Sequence, residues 1–221
     1  MLAYSISATL NSGLFKSVIV SSDDPEVGRI ATWYGADFVR RPPELATDTA
    51  PLTDVAAQVI AEYHKGKVQA ECLCQCMPNC PLVRASDIVE SWRVFEEKKR
   101  RFQISVVPYR SVYPQWAVAS DRRGEGRWLF DNQISRSQDL TPALCPTGAI
   151  WWTRVGDFLS QGTFYGSPFF LYPMNANRGI DIDDIHDLEL AELLVLGITA
   201  KTGASPLEEV SRSAWNGQRG A

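Results

Sequence analysis

The chain has 221 residues, 45% of them hydrophobic and 22% charged, with a formal net charge of -4. That is enough for one domain with a sizeable core. The charge argues against a nucleic-acid binder working through a broad basic surface, though not against nucleotides, and no apolar run approaches the ~20 residues of a membrane helix. The opening MLAYSISATLNSG has neither a basic region nor a long apolar core, so no secretory leader is expected. An odd cysteine count without such a leader suits a reducing cytoplasm.

In chain order, Leu2, Ile6 and Leu10 recur at helical spacing, with Gly13 as a stop. Ser17-Val-Ile-Val-Ser21 predicts a short buried strand. A helix follows with Asp24 as N-cap, Pro25 at its first position and Gly35 just past its end. Pro51 opens another, with Leu52, Val55, Ala56, Val59, Ile60 and Tyr63 on one face and Gly66 ending it. Val68 to Cys76 predicts a strand, Ser86 to Lys98 a helix, and Ile104 to Val107 a strand. The rhythm breaks from Pro108 to Cys145, an excursion of short β elements in which Gly124-Glu-Gly126 reads as a hairpin turn. Gly148 to Thr153 resumes a strand, Val155 to Gln161 a helix, and Ile180-Asp-Ile-Asp183 is expected to be a strand. It runs into a helix capped by Asp184, with Asp187 three residues later. This alternation predicts an α/β domain with a mostly parallel sheet covered on both faces. Such a sheet normally begins with a strand and a phosphate-holding turn, whereas this chain opens inside a helix, so one strand and its loop are expected to be absent from it. Residues 1–210 are expected to form the single domain and 211–221 a loose tail.

Three stretches carry candidate chemistry. Asp181 and Asp183, two apart on a strand, would face the same way with Cα atoms about 7 Å apart and could share one Mg²⁺; the plain alternative is a polar loop entering a helix. Arg40 to Thr49, rich in proline and hydroxyls, could present backbone groups, Thr47 and a guanidinium to a base or sugar, or be an ordinary connection. In Ser135-Arg-Ser-Gln-Asp-Leu140, Arg136 could bind a carboxylate or phosphate bidentately, or make a surface ion pair. The sequence holds no Walker phosphate loop and no G-x-G-x-x-G, and its two histidines, His64 and His186, suit no Ser-His-Asp arrangement. Cys72, Cys74, Cys76 and Cys80 lack the paired spacing of a zinc site. Three of them alternate along a strand over roughly 13 Å, which suits core packing better than a metal.

Several segments taken in order resemble the acylneuraminate cytidylyltransferases: Ala3 to Ile6, Ser12 to Phe15, Val18 to Asp23, Arg41-Pro-Pro-Glu-Leu-Ala-Thr-Asp-Thr49, Pro81-Leu-Val-Arg84, Arg136-Ser-Gln-Asp-Leu140, Gly148 to Ile150 and Asp181-Ile-Asp183. The resemblance runs from about residue 1 to residue 196. It implies a Rossmann-like nucleotidyltransferase domain whose inserted segment, 108–145, makes a homodimer, and it implies no nucleic-acid or membrane partner. The implied reaction joins CTP and a nonulosonic acid into a CMP-sugar and pyrophosphate. By position, Asp181 and Asp183 would hold Mg²⁺, and Arg41, Ala46 and Thr47 would lie against cytosine and ribose. Asn79, Arg84 and Gln138 would line the sugar-nucleotide pocket, and Arg136 would reach the sugar or phosphates in the same or the partner subunit. The family usually opens with a strand and an A-R-x-G-S…K-N loop, which this chain does not contain; losing that lysine should slow turnover by orders of magnitude. Met77 stands where the family often has Gln, and Cys145 where relatives have Arg or His. Two rival readings are a non-catalytic remnant that folds, dimerises or binds sugar nucleotide, and a cytidylyltransferase for a 3-deoxy-octulosonate.

Overall fold

The structure is a computed structural model that describes residues 1–65, 69–109, 113–130 and 136–209. The expected helix stop at Gly66, the strand start at Val68, part of the excursion including Ser135, and the 211–221 tail lie outside these residues.

Helix α1 (Leu2–Asn11) leads into strand β1 (Ile19–Ser22), and α2 (Pro25–Trp33) into β2 (Asp37–Arg40). Helix α2 starts as its sequence dictates: the Asp24 carboxylate accepts from the Glu26 N–H at 2.7 Å, and Pro25 occupies a position where no N–H is needed. Gly28 on α2 lets Phe38 of β2 press against the helix; a Cβ there would sit 2.8 Å from the ring. After α3 (Leu52–Lys65), β3 (Cys72–Gln75), α4 (Ala85–Glu97) and β4 (Phe102–Pro108), the excursion carries a hairpin of β5 (Val118–Ser120) and β6 (Gly126–Trp128). Its Asp121–Glu125 turn closes through Asp121, whose carboxylate accepts from the N–H groups of Arg123 and Glu125, at the turn the sequence marks with Gly124-Glu-Gly126. The chain returns as β7 (Leu144–Arg154), α5 (Val155–Gln161), β8 (Phe170–Pro173) and α6 (Ile185–Thr202).

Strands β1 and β2 pair in parallel, and a four-stranded sheet has the order β3-β7-β4-β8. Strands β4 and β8 run parallel, while β7 lies antiparallel to both of its neighbours. Strands β3, β4 and β8 therefore share one direction, with the long β7 inserted against it. Among the described residues β1 pairs only with β2 and β3 only with β7, leaving each with one edge free of a strand neighbour. Helix α1 joins the two sheets: Ile6 packs with Ala31 and Ala36 beside β1, and Ala8 joins the cluster of Cys80, Val83, Ile88, Phe95, Ala149 and Trp152 over β7.

That second cluster is the main core on this side. Trp152 stacks on Phe15 at 5.5 Å and meets Trp92 at 4.7 Å, while its indole N–H reaches the buried Ser91 hydroxyl at 2.9 Å. Gln103, also buried, donates to the Ser91 carbonyl and accepts from Arg100, so both ends of its amide are paired. Phe158 and Phe164 fill the cluster on the α5 side.

Two sequence expectations fail locally. Residues 180–183 form no strand; the Ile182 N–H is bonded to the carbonyl of Asn79, in a turn rather than a ladder. Strand β8, which the sequence reading passes over, takes the place beside β4. Residues 170–173 become a strand because β4 presents a free parallel edge; an apolar run this short carries no periodicity of its own.

Candidate active site

The site begins at an irregularity in β7. The register slips between the pairs Ile104–Trp151 and Val106–Pro146. Ser105 fills the slip, donating to the Thr147 carbonyl and accepting from the Ile150 N–H at 3.0 Å. The bulge frees the Gly148 N–H from the β4–β7 ladder, and it points instead at Asp181, 3.1 Å from each carboxylate oxygen. A Cβ at 148 would lie 2.7 Å from Met77 Cγ, so Met77 would have to shift to admit one.

The turn after β3 closes the site from the other side. Met77 N–H bonds to the Gly148 carbonyl at 3.0 Å, which seats the turn on β7. The buried Cys80 thiol bonds to Asp181 Oδ1, and the Asn79 amide bonds to Asp183 Oδ1 at 3.1 Å. Burial first, then the hydrogen bond to Asp181, push the Cys80 thiol far above its ordinary range, so it keeps its proton and donates. The backbone after Asp181 is pinned as well. Asp187 accepts from the N–H groups of Asp183 and Asp184, and Asp184 accepts from those of His186 and Asp187, the reciprocal cap expected at the start of α6. Burial first, then the negative charge of Asp181, raises the Tyr165 phenol, and a hydrogen bond with Cys145 raises Tyr109.

The other expected residues sit apart from this pair. Arg41 follows β2 and lies across the end of β1, its guanidinium 2.7 Å from the Ser21 carbonyl. Ala46 closes the short turn Pro43–Leu45, and Thr47 is exposed beyond it. The turn after β3 and the Arg41 loop both lie at the C-terminal ends of strands, where open α/β sheets take ligands. Arg84 donates to the carbonyls of Ser205 and Leu207, tying the chain beyond α6 to the start of α4. Arg136 pairs with Asp139 and Gln138 stands beside it, both exposed on the excursion. Among the described residues no hydrogen bond or ion pair joins Arg41, Arg84 or Arg136 to either carboxylate. Cys72, Cys74 and Cys76 pack against the Trp152 cluster as the strand reading expects, with Cys74 and Cys76 sulfurs 3.6 Å apart.

A family model described as cytidylyltransferase matches residues 1–124. The chain belongs to the cytidylyltransferase family. Among this family's curated members, the N-acylneuraminate cytidylyltransferase of Escherichia coli O18:K1:H7 is 31% identical over 192 residues, 86% of this chain but 45% of that protein. The pseudaminic acid cytidylyltransferase of Campylobacter jejuni serotype O:2 is 29% identical over 198 residues, 88% of this chain and 84% of that one. The chain thus spans about half of the first relative and most of the second. A solved structure of CMP:2-keto-3-deoxy-manno-octonic acid synthetase complexed with CTP shares the fold, with a TM-score of 0.60 at 16% identity over 89% of this chain and 87% of that one. The cytidylyltransferase fold thus agrees with the α/β nucleotidyltransferase architecture expected from the sequence. Sequence reasoning missed Cys80 and Gly148 as parts of the site, although both stood inside stretches already singled out.

Proposed function

We propose that this cytidylyltransferase-family protein activates a nonulosonic acid. The anomeric 2-hydroxyl of the sugar acid attacks the α-phosphorus of CTP, a new phosphorus–oxygen bond forms, the α–β phosphoanhydride bond breaks, and pyrophosphate leaves with the CMP-sugar as product. The observation that carries this reading is the Asp181–Asp183 pair, held open beside Gly148 in a chain of this family. The relatives named for N-acylneuraminate and pseudaminic acid supply the substrate class.

The pair fits Mg²⁺. Among the described residues no cluster of three or more acidic, histidine or cysteine side chains forms a cage, but Mg²⁺ is commonly bound by one or two carboxylates together with substrate phosphates. Each carboxylate keeps an oxygen with spare lone pairs: Asp183 Oδ1 is engaged by Asn79, and Asp181 Oδ2 only by Gly148. When bound, the ion neutralises phosphate charge. The protein's own part is positioning. The Gly148 N–H orients Asp181, and the cap of α6 fixes the backbone at Asp183. In the same reading Arg41, Ala46 and Thr47 face the cytosine and ribose, Arg136 and Gln138 come from the 108–145 segment of a homodimer, and the reaction is cytoplasmic.

The test is CMP-sugar and pyrophosphate formation from CTP and a panel of nonulosonic and 3-deoxy-octulosonic acids. It is run with Mg²⁺ on the purified protein. Product with a nonulosonic acid is expected. The absence of product with every acid overturns the reading.

A further inference from the structure

We propose that Asn79 and Cys80 are positioning residues that together hold the Asp181-Ile182-Asp183 triplet as a cation-binding unit; this rests on the reading of Asp181 and Asp183 as the metal pair. The geometry is a three-point dock. The Cys80 S–H donates to Asp181 Oδ1, the Asn79 carbonyl accepts from the Ile182 N–H at 3.0 Å, and the Asn79 amide N–H donates to Asp183 Oδ1 at 3.1 Å. Two consecutive residues thus engage all three members of a segment about a hundred positions away. The segment needs this help because it belongs to no strand that could align its carboxylates.

Each partner is suited to its place. Cys80 is 1% exposed and belongs to the core cluster with Val83, Ile88 and Ala149, so its sulfur is immobilised by packing and presents a single donor. An ionised carboxylate only accepts, so both side-chain bonds run from residues 79 and 80 toward the aspartates. Neither bond uses Asp181 Oδ2 or Asp183 Oδ2. The dock therefore fixes the orientation of both carboxylates while leaving those oxygens available. Groups that orient metal-ligating side chains in this way set the affinity of a site even though they never touch the ion.

The test uses Mn²⁺ alone as the probe, titrated by the electron paramagnetic resonance of the free ion, with thermal melting in parallel. The parent protein is compared with Asp181→Asn, Cys80→Ala, Cys80→Ser and Asn79→Ala. Asp181→Asn is expected to remove binding. Cys80→Ala and Asn79→Ala each weaken it roughly tenfold, while Cys80→Ser, which keeps a donor, stays within about twofold of the parent protein. If Cys80→Ala does not fold, Asn79→Ala at the rim of the turn and the serine variant still decide the question. Parent-like Mn²⁺ affinity in folded Cys80→Ala or Asn79→Ala, with binding lost in Asp181→Asn, overturns the dock and leaves the metal reading intact. Parent-like affinity in Asp181→Asn overturns the metal reading and the dock with it. A Cys80→Ser variant as weak as the alanine variant also overturns the proposal, because the donor would then not be what matters.

Discussion

The turn at residues 77–80 and the described parts of the excursion, 113–130 and 136–143, differ in how far their polar contacts reach. In the turn, Cys80 and Asn79 reach partners 101 and 104 residues away, and Gly148 reaches Asp181 across 33 residues. In the excursion, Arg136 pairs with Asp139 three residues on, and Asp121 binds N–H groups two and four residues ahead. Cys80 is 1% exposed, whereas the Arg136 side chain is 73% exposed, and Trp128, Leu129 and Phe130 of the same excursion are exposed too. A carboxylate held by buried, distant partners is preorganised by the fold. An arginine held by its own loop is positioned only as well as the loop is.

The widest separation between the two regions comes from removing a carboxylate. Asp183→Ala is expected to lower CMP-sugar formation by at least about a thousandfold with little loss of thermal stability, as fits a group whose work is in the reaction. Assay and melting curve on the same sample check this, and parent-like turnover would sink the assignment. Gly148→Ala comes next. Its Cβ would displace Met77, whose N–H seats the 77–80 turn on β7, so turnover should fall about tenfold or more, with a stability cost of about 1–3 kcal/mol for overpacking. A steady-state comparison with denaturant unfolding separates the two effects.

Gly166→Ala sharpens the contrast from the core side. The added carbon would overlap the ring of Phe102, which is fully buried and has nowhere to move. A loss of about 2–3 kcal/mol is expected, visible as a lower denaturant midpoint. Arg136→Ala should do the least to the fold. Its ion pair is exposed, so unfolding free energy should change by no more than about 0.5 kcal/mol. Its effect, if Arg136 serves the sugar acid, belongs in KM. A large stability loss in this variant would show that the excursion is integrated into the fold after all.

Much of this molecule could be read along the chain. The Asp24–Pro25 start of α2, the reciprocal cap at Asp184 and Asp187 and the span of α5 appear where the residues say they should. The hairpin at 118–128 follows its glycine-marked turn. The Asp181–Asp183 pair was singled out, but for a reason the structure replaces: the two carboxylates are set by the Asn79–Cys80 turn rather than by alternation along a strand. Arg84 ties down the segment beyond α6, a contact that nothing in its own stretch of sequence announces.

By itself the sequence determined the alternation of helices and strands, the helix ends and the residue types available for chemistry, because caps, turns and periodicity act within three or four residues. Only the tertiary structure decided that β7 would enter the sheet antiparallel, that its bulge would release the Gly148 N–H, and that a buried cysteine would face an aspartate. Those outcomes depend on which surfaces pack together across tens of residues, and side chains that meet there carry no mark of one another in the local sequence.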